Sequence, residues 1–174
     1  MSRYIQNIPE EFLEQSVIRI DECQVKIEKC LDELEEEEIW KRPNESSNSV
    51  GNLIYHLCGN ITQYIISSLG NAKDNRQRNS EFSVMGGESK SALHEKLSDV
   101  VNEAKNVIRE IKLEDLKEIR SVQGFKLSGI GIIIHVVEHF SYHTGQIVFW
   151  TKMIKNIDLG FYNDQDLNQK NASE

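Results

Sequence analysis

Five histidines are the residues whose type and spacing suggest chemistry: His56, His94, His135, His139 and His143. The last three follow an i, i+4, i+8 spacing in an apolar segment, which places them in one stripe on a helix. Two imidazoles four residues apart can aim at one divalent ion. All three cannot share an ion, because the first and last lie about 12 Å apart along the axis. The spacing therefore predicts one adjacent pair, His135 with His139 or His139 with His143, and a third ligand from another helix.

His56 is the candidate for that third ligand. It lies in a second helical segment, about 130° from the centre of that segment's apolar face. Asn52, Asn60 and Gln63 share its side, so a polar stripe on this helix would oppose the histidine stripe. The ordinary alternative is that a histidine on a helix is structural or exposed, and we interpret His94 as a surface residue. The sequence contains no His-Glu-x-x-His motif, which argues against a zinc protease.

Other polar side chains are candidates for orienting the imidazole rings or lining a pocket, with ordinary polar packing as the alternative. We assign that role to Gln146, Asn60, Gln63 and Tyr142. In the long segment after the second helix, Arg76 and Arg78 could hold an anionic substrate or simply face solvent. Glu81 in the same segment could swing into the site, although we expect a surface position for it. No carboxylate lies on the histidine stripe, so no general base is assigned.

Charge and cysteine content narrow the class of protein. The net charge of −8 argues against nucleic-acid binding, since phosphate-binding proteins carry a basic patch. Cys23, Cys30 and Cys58 form no Cys-x-x-Cys pair, which predicts reduced thiols in a cytoplasmic protein. We expect no signal peptide, because the N-terminus lacks a basic-then-apolar pattern, and no membrane span, because no apolar stretch is long enough.

The hydrophobic spacing predicts four long helices over residues 9–38, 50–69, 89–111 and 128–155. The last of these is apolar almost all round, which predicts the most buried helix. Residues 70–88, rich in glycine and asparagine, are predicted as a long loop. Residues 112–128 predict either an extended crossover or a short hairpin. We therefore predict a single all-α domain over residues 1–174, a four-helix bundle with ligand sites between facing helices.

Two motifs carry a resemblance to a known superfamily: Asn52-Leu-Ile-Tyr-His56-Leu in helix two and His139-Phe-Ser-Tyr-His143-Thr-Gly-Gln-Ile147 in helix four. Over nearly its whole length the chain resembles the DinB/YfiT-like superfamily of four-helix-bundle metalloproteins. The resemblance implies a three-histidine metal site at His56, His139 and His143, with His135 as a neighbour beside it. Some members resemble thiol S-transferases that use low-molecular-weight thiols such as bacillithiol or mycothiol. The resemblance also favours a homodimer.

Three neutral imidazoles leave open coordination positions on a divalent ion, as catalytic metal sites do. Zinc or nickel suits an all-imidazole site best. Such an ion lowers the pKa of water for hydrolysis, or of a thiol for thiol transfer. We therefore expect a metal-dependent enzyme that acts on a small molecule, either a thiol S-transferase or a hydrolase. The alternative is a non-catalytic bundle that binds metal or dimerises.

Overall fold

The computed structural model describes residue 5 and residues 7–171 of the chain. Four long helices dominate it, together with three short helices and one hairpin. In chain order the elements are α1 (Ile8–Glu33), α2 (Glu36–Trp40), α3 (Val50–Ile61) with a π-helical extension (Thr62–Leu69), α4 (Arg78–Ser83), α5 (Lys90–Glu110), α6 (Leu113–Lys117), β1 (Ile119–Val122), β2 (Phe125–Ser128) and α7 (Gly129–Lys155). The predicted all-α bundle is confirmed, and the four long helices start within a residue or so of their predicted positions.

The first helix ends earlier than predicted. The chain was expected to remain helical to residue 38, but α1 stops at Glu33 and Leu34 is extended. Leu34 is fully buried, which turns the chain inward at this point. A new helix, α2, then begins with a capping box in which Glu35 and Glu38 bond each other's backbone N–H groups. The acidic residues 35–38 therefore lie at a helix N-terminus, where the helix dipole favours negative charge.

Helix α3 is buried on both of its sides. Ser49 caps it, and its apolar residues face the bundle core as the spacing predicts. Asn52, His56 and Asn60, the predicted polar stripe, are buried as well. The cover is provided by the segment after the helix, where α4 forms inside what was predicted to be a loop. The last turns of the helix widen into the π-helical extension, closed by Gly70 N–H donating to Ile65 O at 2.9 Å.

The segment before α7 forms a short antiparallel hairpin. Strands β1 and β2 pair from Ile119 with Ser128 to Val122 with Phe125. Gln123 and Gly124 have φ values of 49° and 84°, the two positive angles that a tight two-residue hairpin turn requires. The hairpin alternative is thus confirmed over the extended crossover. Ser128 then caps α7 by accepting a hydrogen bond from Gly131 N–H.

The long helices pack in a ring, and this order creates the site. Helix α1 packs against α5 and α7, and α3 packs against the same two helices. Helices α3 and α7 are therefore neighbours. The prediction that α7 is the most buried helix is wrong, because α7 has an exposed flank that carries Ile134, Phe149 and Met153, whereas nearly all of α3 is buried. Within the described residues, no helix combines the length and apolarity needed to cross a membrane.

Candidate metal centre

Three imidazoles meet between α3 and α7. His56 comes from α3, and His139 and His143 come from successive turns of α7. One ring nitrogen from each lies within 4.8 Å of the other two. The ring centroids are 4.9 Å apart for His56 and His139, 5.0 Å for His56 and His143, and 4.5 Å for His139 and His143. The structure therefore brings together three residues that could hold a metal ion.

The cluster lies at the edge of the core. His56 and His143 are 5% and 9% exposed, whereas His139 is partly open to solvent. The ring of Phe82 packs 4.8 Å from the ring of His56 and closes the site on that side. His139 is therefore the ring of the cluster that solvent reaches most.

His135 lies one turn before the cluster and does not join it. Its ring stacks on Tyr64 at 4.3 Å, and Asn60 Nδ2 donates to its Nε2 at 3.4 Å. It also lies parallel to the ring of His139 at 5.5 Å. His135 and Asn60, both predicted to orient or line the site, thus bond each other beside the cluster.

The second nitrogens of two rings are already engaged. His56 Nδ1 lies 2.9 Å from Glu81 Oε2, and His143 Nδ1 lies 2.7 Å from Gln146 Oε1. Because a carboxylate or amide oxygen can only accept a hydrogen bond, Nδ1 is the nitrogen that carries the proton in both rings. The Nε2 atoms of His56 and His143 therefore carry the lone pairs. His56 Nε2 and His139 Nε2 are 2.9 Å apart.

The segment that follows α3 and its π-helical extension was predicted to be a surface loop, but it places two charged side chains in the interior beside His56. Glu81 was expected at the surface, but it is buried and contacts His56. For Arg76 the sequence left open a contact with an anionic substrate or a solvent-facing position, but its side chain is 3% exposed and is bonded inside the protein. It donates to both oxygens of Glu81 and, through Nη1, to Gln63. The reason is that α4 folds this segment onto the polar side of α3.

Arg78 and Tyr142 lie at the surface near the site. The guanidinium of Arg78 rests 5.0 Å above the ring of Phe82 and remains exposed. Tyr142 is 63% exposed, with its ring edge-on to His143 at 5.0 Å. Neither contacts a ring nitrogen of the cluster, so both lie at the rim rather than in the interior. His94 lies on α5, away from the cluster, with its side chain 42% exposed.

Burial sets the charge state of the cluster. It lowers the pKa of His139 to about 3, with the neighbouring histidines adding to the effect. It lowers the pKa of His143 and of His135 as well. Burial alone would raise the pKa of Glu81, but hydrogen bonds from His56 and Arg76 outweigh it and lower that pKa. His139 and His143 are therefore neutral near pH 7, the state in which imidazole binds metal.

Three residues hold the segment that contains α4 and Glu81 against α3. Sequence reasoning missed Arg42 and Gly59, and it noted Asn52 only as polar. Asn52 Nδ2 donates to the main-chain oxygens of Glu81 and Val84 at 3.0 and 2.7 Å. Arg42 donates to the oxygen of Phe82 at 2.6 Å. Gly59 leaves the space that the Glu81 carboxylate occupies. The Ser-x-x-Asn spacing of the α3 cap was a signal for Asn52, but no local pattern marks the other two.

The donor set fits a divalent transition metal. Two nitrogens that share a tetrahedral zinc stand about 3.3 Å apart, given bonds of about 2.0–2.1 Å. The 2.9 Å between His56 Nε2 and His139 Nε2 is short of that by a few tenths of an ångström. A small rotation of the partly exposed His139 ring would supply the difference. Three neutral imidazoles with no thiolate or carboxylate suit zinc or nickel rather than calcium or magnesium.

Comparison with known structures supports the same fold. A conserved protein of Enterococcus faecalis superposes with a TM-score of 0.71 at 16% identity, over 83% of this chain and 97% of that one. A DinB-like protein of Bacillus subtilis gives 0.63 at 15% identity, over 80% and 91%. A variant of mycothiol-dependent maleylpyruvate isomerase gives 0.59 at 12% identity, over 80% of this chain and 67% of that one. At these identities the likeness establishes the fold alone.

The sequence itself matches one family. Residues 7–161 correspond to the family described as "Protein of unknown function (DUF1572)". No curated protein is significantly similar to the sequence. The chain therefore belongs to the DUF1572 family and has the helical fold of the DinB-like proteins.

Proposed function

We propose that this protein binds one divalent ion, zinc or nickel, through His56, His139 and His143, and uses it as an enzyme. The observation that carries the proposal is the convergence of three imidazole nitrogens from two helices within 4.8 Å. The lowered pKa values of His139 and His143 support it, because no proton has to be removed from either ring near pH 7.

The reaction that we propose is thiol transfer with a low-molecular-weight thiol, or hydrolysis. One structural neighbour is named as a mycothiol-dependent isomerase, which favours thiol chemistry. In a transfer, the thiol sulfur bonds an electrophilic carbon, the leaving group departs with its electron pair, and the thiol proton passes to solvent. When bound, a divalent ion lowers the pKa of a thiol or water and so supplies the nucleophile.

The chain's own residues hold and shield this site. Glu81 and Gln146 fix two of the rings, and Phe82 excludes water from the His56 side. His139 and Tyr142 border the open side, where a small substrate would enter. Arg78, an exposed cation over the Phe82 ring on the His56 side of the site, would meet a carboxylate of the thiol.

The test begins with protein purified without a histidine tag. Zinc and nickel binding is measured by titration, and metal-loaded protein is then incubated with a panel of small thiols and electrophiles. We expect one ion per chain and turnover that His139→Ala removes. The matched control is His94→Ala, which changes a surface histidine on another helix and is expected to leave both unchanged. Metal binding without turnover across the panel, including ester and amide substrates, would contradict catalysis.

A non-catalytic metal-binding bundle is the second candidate. It is favoured by the absence, around the described cluster, of a free carboxylate to act as a base, since Glu81 is bonded to both Arg76 and His56. In that case chelation should lower the melting temperature, and His139→Ala should lower it equally. A site that binds metal but excludes an added ligand such as azide from a cobalt-substituted sample would support this candidate.

The homodimer remains a prediction. Ile134, Phe149 and Met153 lie on the exposed flank of α7, interspersed with Glu138 and Ser141, and a second copy would cover them. Sedimentation of the protein over a range of concentrations tests it, and a monomer at every concentration would contradict it.

A further inference from the structure

A buried ion pair lies directly behind His56. Arg76 Nε donates to Glu81 Oε1 at 2.7 Å, and Arg76 Nη2 donates to Glu81 Oε2 at 3.0 Å. Both side chains are almost completely buried. A buried ion pair costs desolvation free energy and is by itself weak evidence for stability. Its position next to a candidate metal ligand calls for another explanation.

The geometry decides which proton His56 carries. Its Nδ1 has two neighbours, Glu81 Oε2 at 2.9 Å and Arg76 Nη2 at 3.2 Å. A carboxylate can only accept, so its short contact requires a proton on Nδ1. The guanidinium already donates to Glu81, and its contact with Nδ1 is the longer one. The proton of neutral His56 therefore lies on Nδ1, and Nε2 is left with its lone pair.

We infer that Glu81, clamped by Arg76, is a positioning residue that holds the His56 ring and its Nδ1 proton so that Nε2 can bind the ion. The inference rests on the proposed function, and it assigns to this pair a role other than substrate binding. A carboxylate behind a ligating imidazole fixes the tautomer and makes the ring a stronger ligand. Arg76 keeps the carboxylate ionised and aimed, because its fork matches both oxygens.

Gly59 on α3 supports the positioning role of Glu81, because it has no side chain to occupy the space of the carboxylate. A Cβ at this position would overlap Glu81 Oε1 and lie 3.0 Å from Arg76 Nε. Glycine in the middle of a helix is destabilising relative to alanine. Here it provides the room in which the carboxylate reaches His56. Hydrogen bonds from the Asn52 side chain to the main-chain oxygens of Glu81 and Val84 hold the α4 segment beside Gly59.

The first test uses Glu81→Gln. The amide oxygen is drawn to Arg76, so its NH2 group faces His56 Nδ1 and favours the opposite tautomer, with the proton on Nε2. We expect zinc affinity to fall about 10–100-fold, measured by competition with a chromophoric chelator. Long-range 1H–15N correlation spectra of the metal-free protein should show the His56 proton moving from Nδ1 to Nε2. The control is Glu103→Gln, an exposed carboxylate on α5 that should change neither.

The second test leaves both charged side chains of the ion pair in place. It therefore tests the inference even if Glu81→Gln does not fold. Gly59→Ala displaces the Glu81 carboxylate, and its matched control is Gly145→Ala, where the added Cβ meets nothing within 4 Å. Alanine favours the helix at both positions. We expect Gly59→Ala to weaken zinc binding about tenfold or more, while Gly145→Ala binds like the unmodified protein.

The outcomes separate this inference from the proposed function. If folded Glu81→Gln and Gly59→Ala bind zinc as tightly as the unmodified protein, or if His56 carries its proton on Nε2 in the unmodified protein, the inference is wrong. If the unmodified protein binds no metal but His56 is protonated at Nδ1 and shifts in Glu81→Gln, the positioning contact stands and the proposed function fails.

Discussion

Two turns of α7, one on either side of His139, present the same residue type at the same spacing but in different surroundings. His135 and His143 flank His139 symmetrically in sequence. Opposite His143 stands His56 of α3, with the two rings 85° apart, so that an edge of one points at the other. Opposite His135 stand Tyr64, which stacks on it, and Asn60, which bonds its Nε2.

The difference shows that the facing helix decides which pair forms a site. The i, i+4 spacing aligns three imidazoles equally well, and helix geometry alone cannot choose between the two pairs. Stacking holds the His135 ring parallel to His139, and its Nε2 is bonded to the Asn60 amide. The His143 ring is instead edge-on to the rings of His56 and His139, and its Nδ1 is bonded to Gln146, so that Nε2 is the nitrogen left for an ion.

Replacing a histidine in each turn gives the largest expected effect. We expect His143→Ala to weaken zinc binding more than 100-fold, beyond what is typical for loss of a residue behind a ligand. His135→Ala should leave the affinity within about threefold, because this ring supplies no ligand. Isothermal titration measures both. Equal losses in the two variants would remove the distinction between the turns.

Metal binding should stabilise the protein measurably. Zinc at about 100 times its dissociation constant adds about 2.7 kcal/mol to the free energy of unfolding. For a chain of this length that corresponds to a rise in melting temperature of roughly 5–10 °C. The rise should persist in His135→Ala and disappear in His143→Ala. A rise that survives in His143→Ala would place the ion elsewhere.

Acid should destabilise the metal-free protein through the cluster. The pKa of His139 is about 3 in the folded protein and about 6.5 when unfolded, so the unfolded state binds the extra proton between these values. Stability is therefore full above pH 6.5 and falls as the pH drops below it. We expect the melting temperature to fall between pH 7.5 and pH 5, and less steeply in His139→Ala. Glu81, whose pKa is lowered, titrates below this window.

The smallest effect is expected beside His135. Asn60→Ala removes the hydrogen bond to His135 and should cost about 0.5–1.5 kcal/mol of unfolding free energy. Zinc affinity should stay within about twofold. Urea denaturation and the same titration measure these two quantities. A large loss of zinc binding would mean that the His135 turn contributes to the site after all.

Much of the fold follows from the sequence because the apolar spacing is regular. The starts of α3, α5 and α7 each coincide with a serine cap, which sequence inspection detects directly. The end of α1 was missed because the apolar pattern continues through Leu34. The turn at Leu34 depends on the tertiary position in which this side chain is buried, and the spacing does not show that position. The exposed flank of α7 was missed for a similar reason, since its apolar residues do not show which side lacks a neighbour.

The candidate site was predictable only in part. Its histidines lie on helices, where spacing determines direction. Glu81 and Arg76 lie in a segment whose path depends on tertiary contacts from Asn52 and Arg42, and these have no periodic signature. Sequence reasoning therefore assigned both to the surface. The burial of the polar side of α3 has the same origin, because it depends on the fold of the segment that covers it.

The most direct measurement is anomalous diffraction at the zinc edge from crystals of zinc-loaded, untagged protein. The account predicts a single peak between α3 and α7, about 2.0–2.1 Å from Nε2 of His56, His139 and His143. A peak bound by His135 in place of His143, or no peak at the cluster, would contradict it.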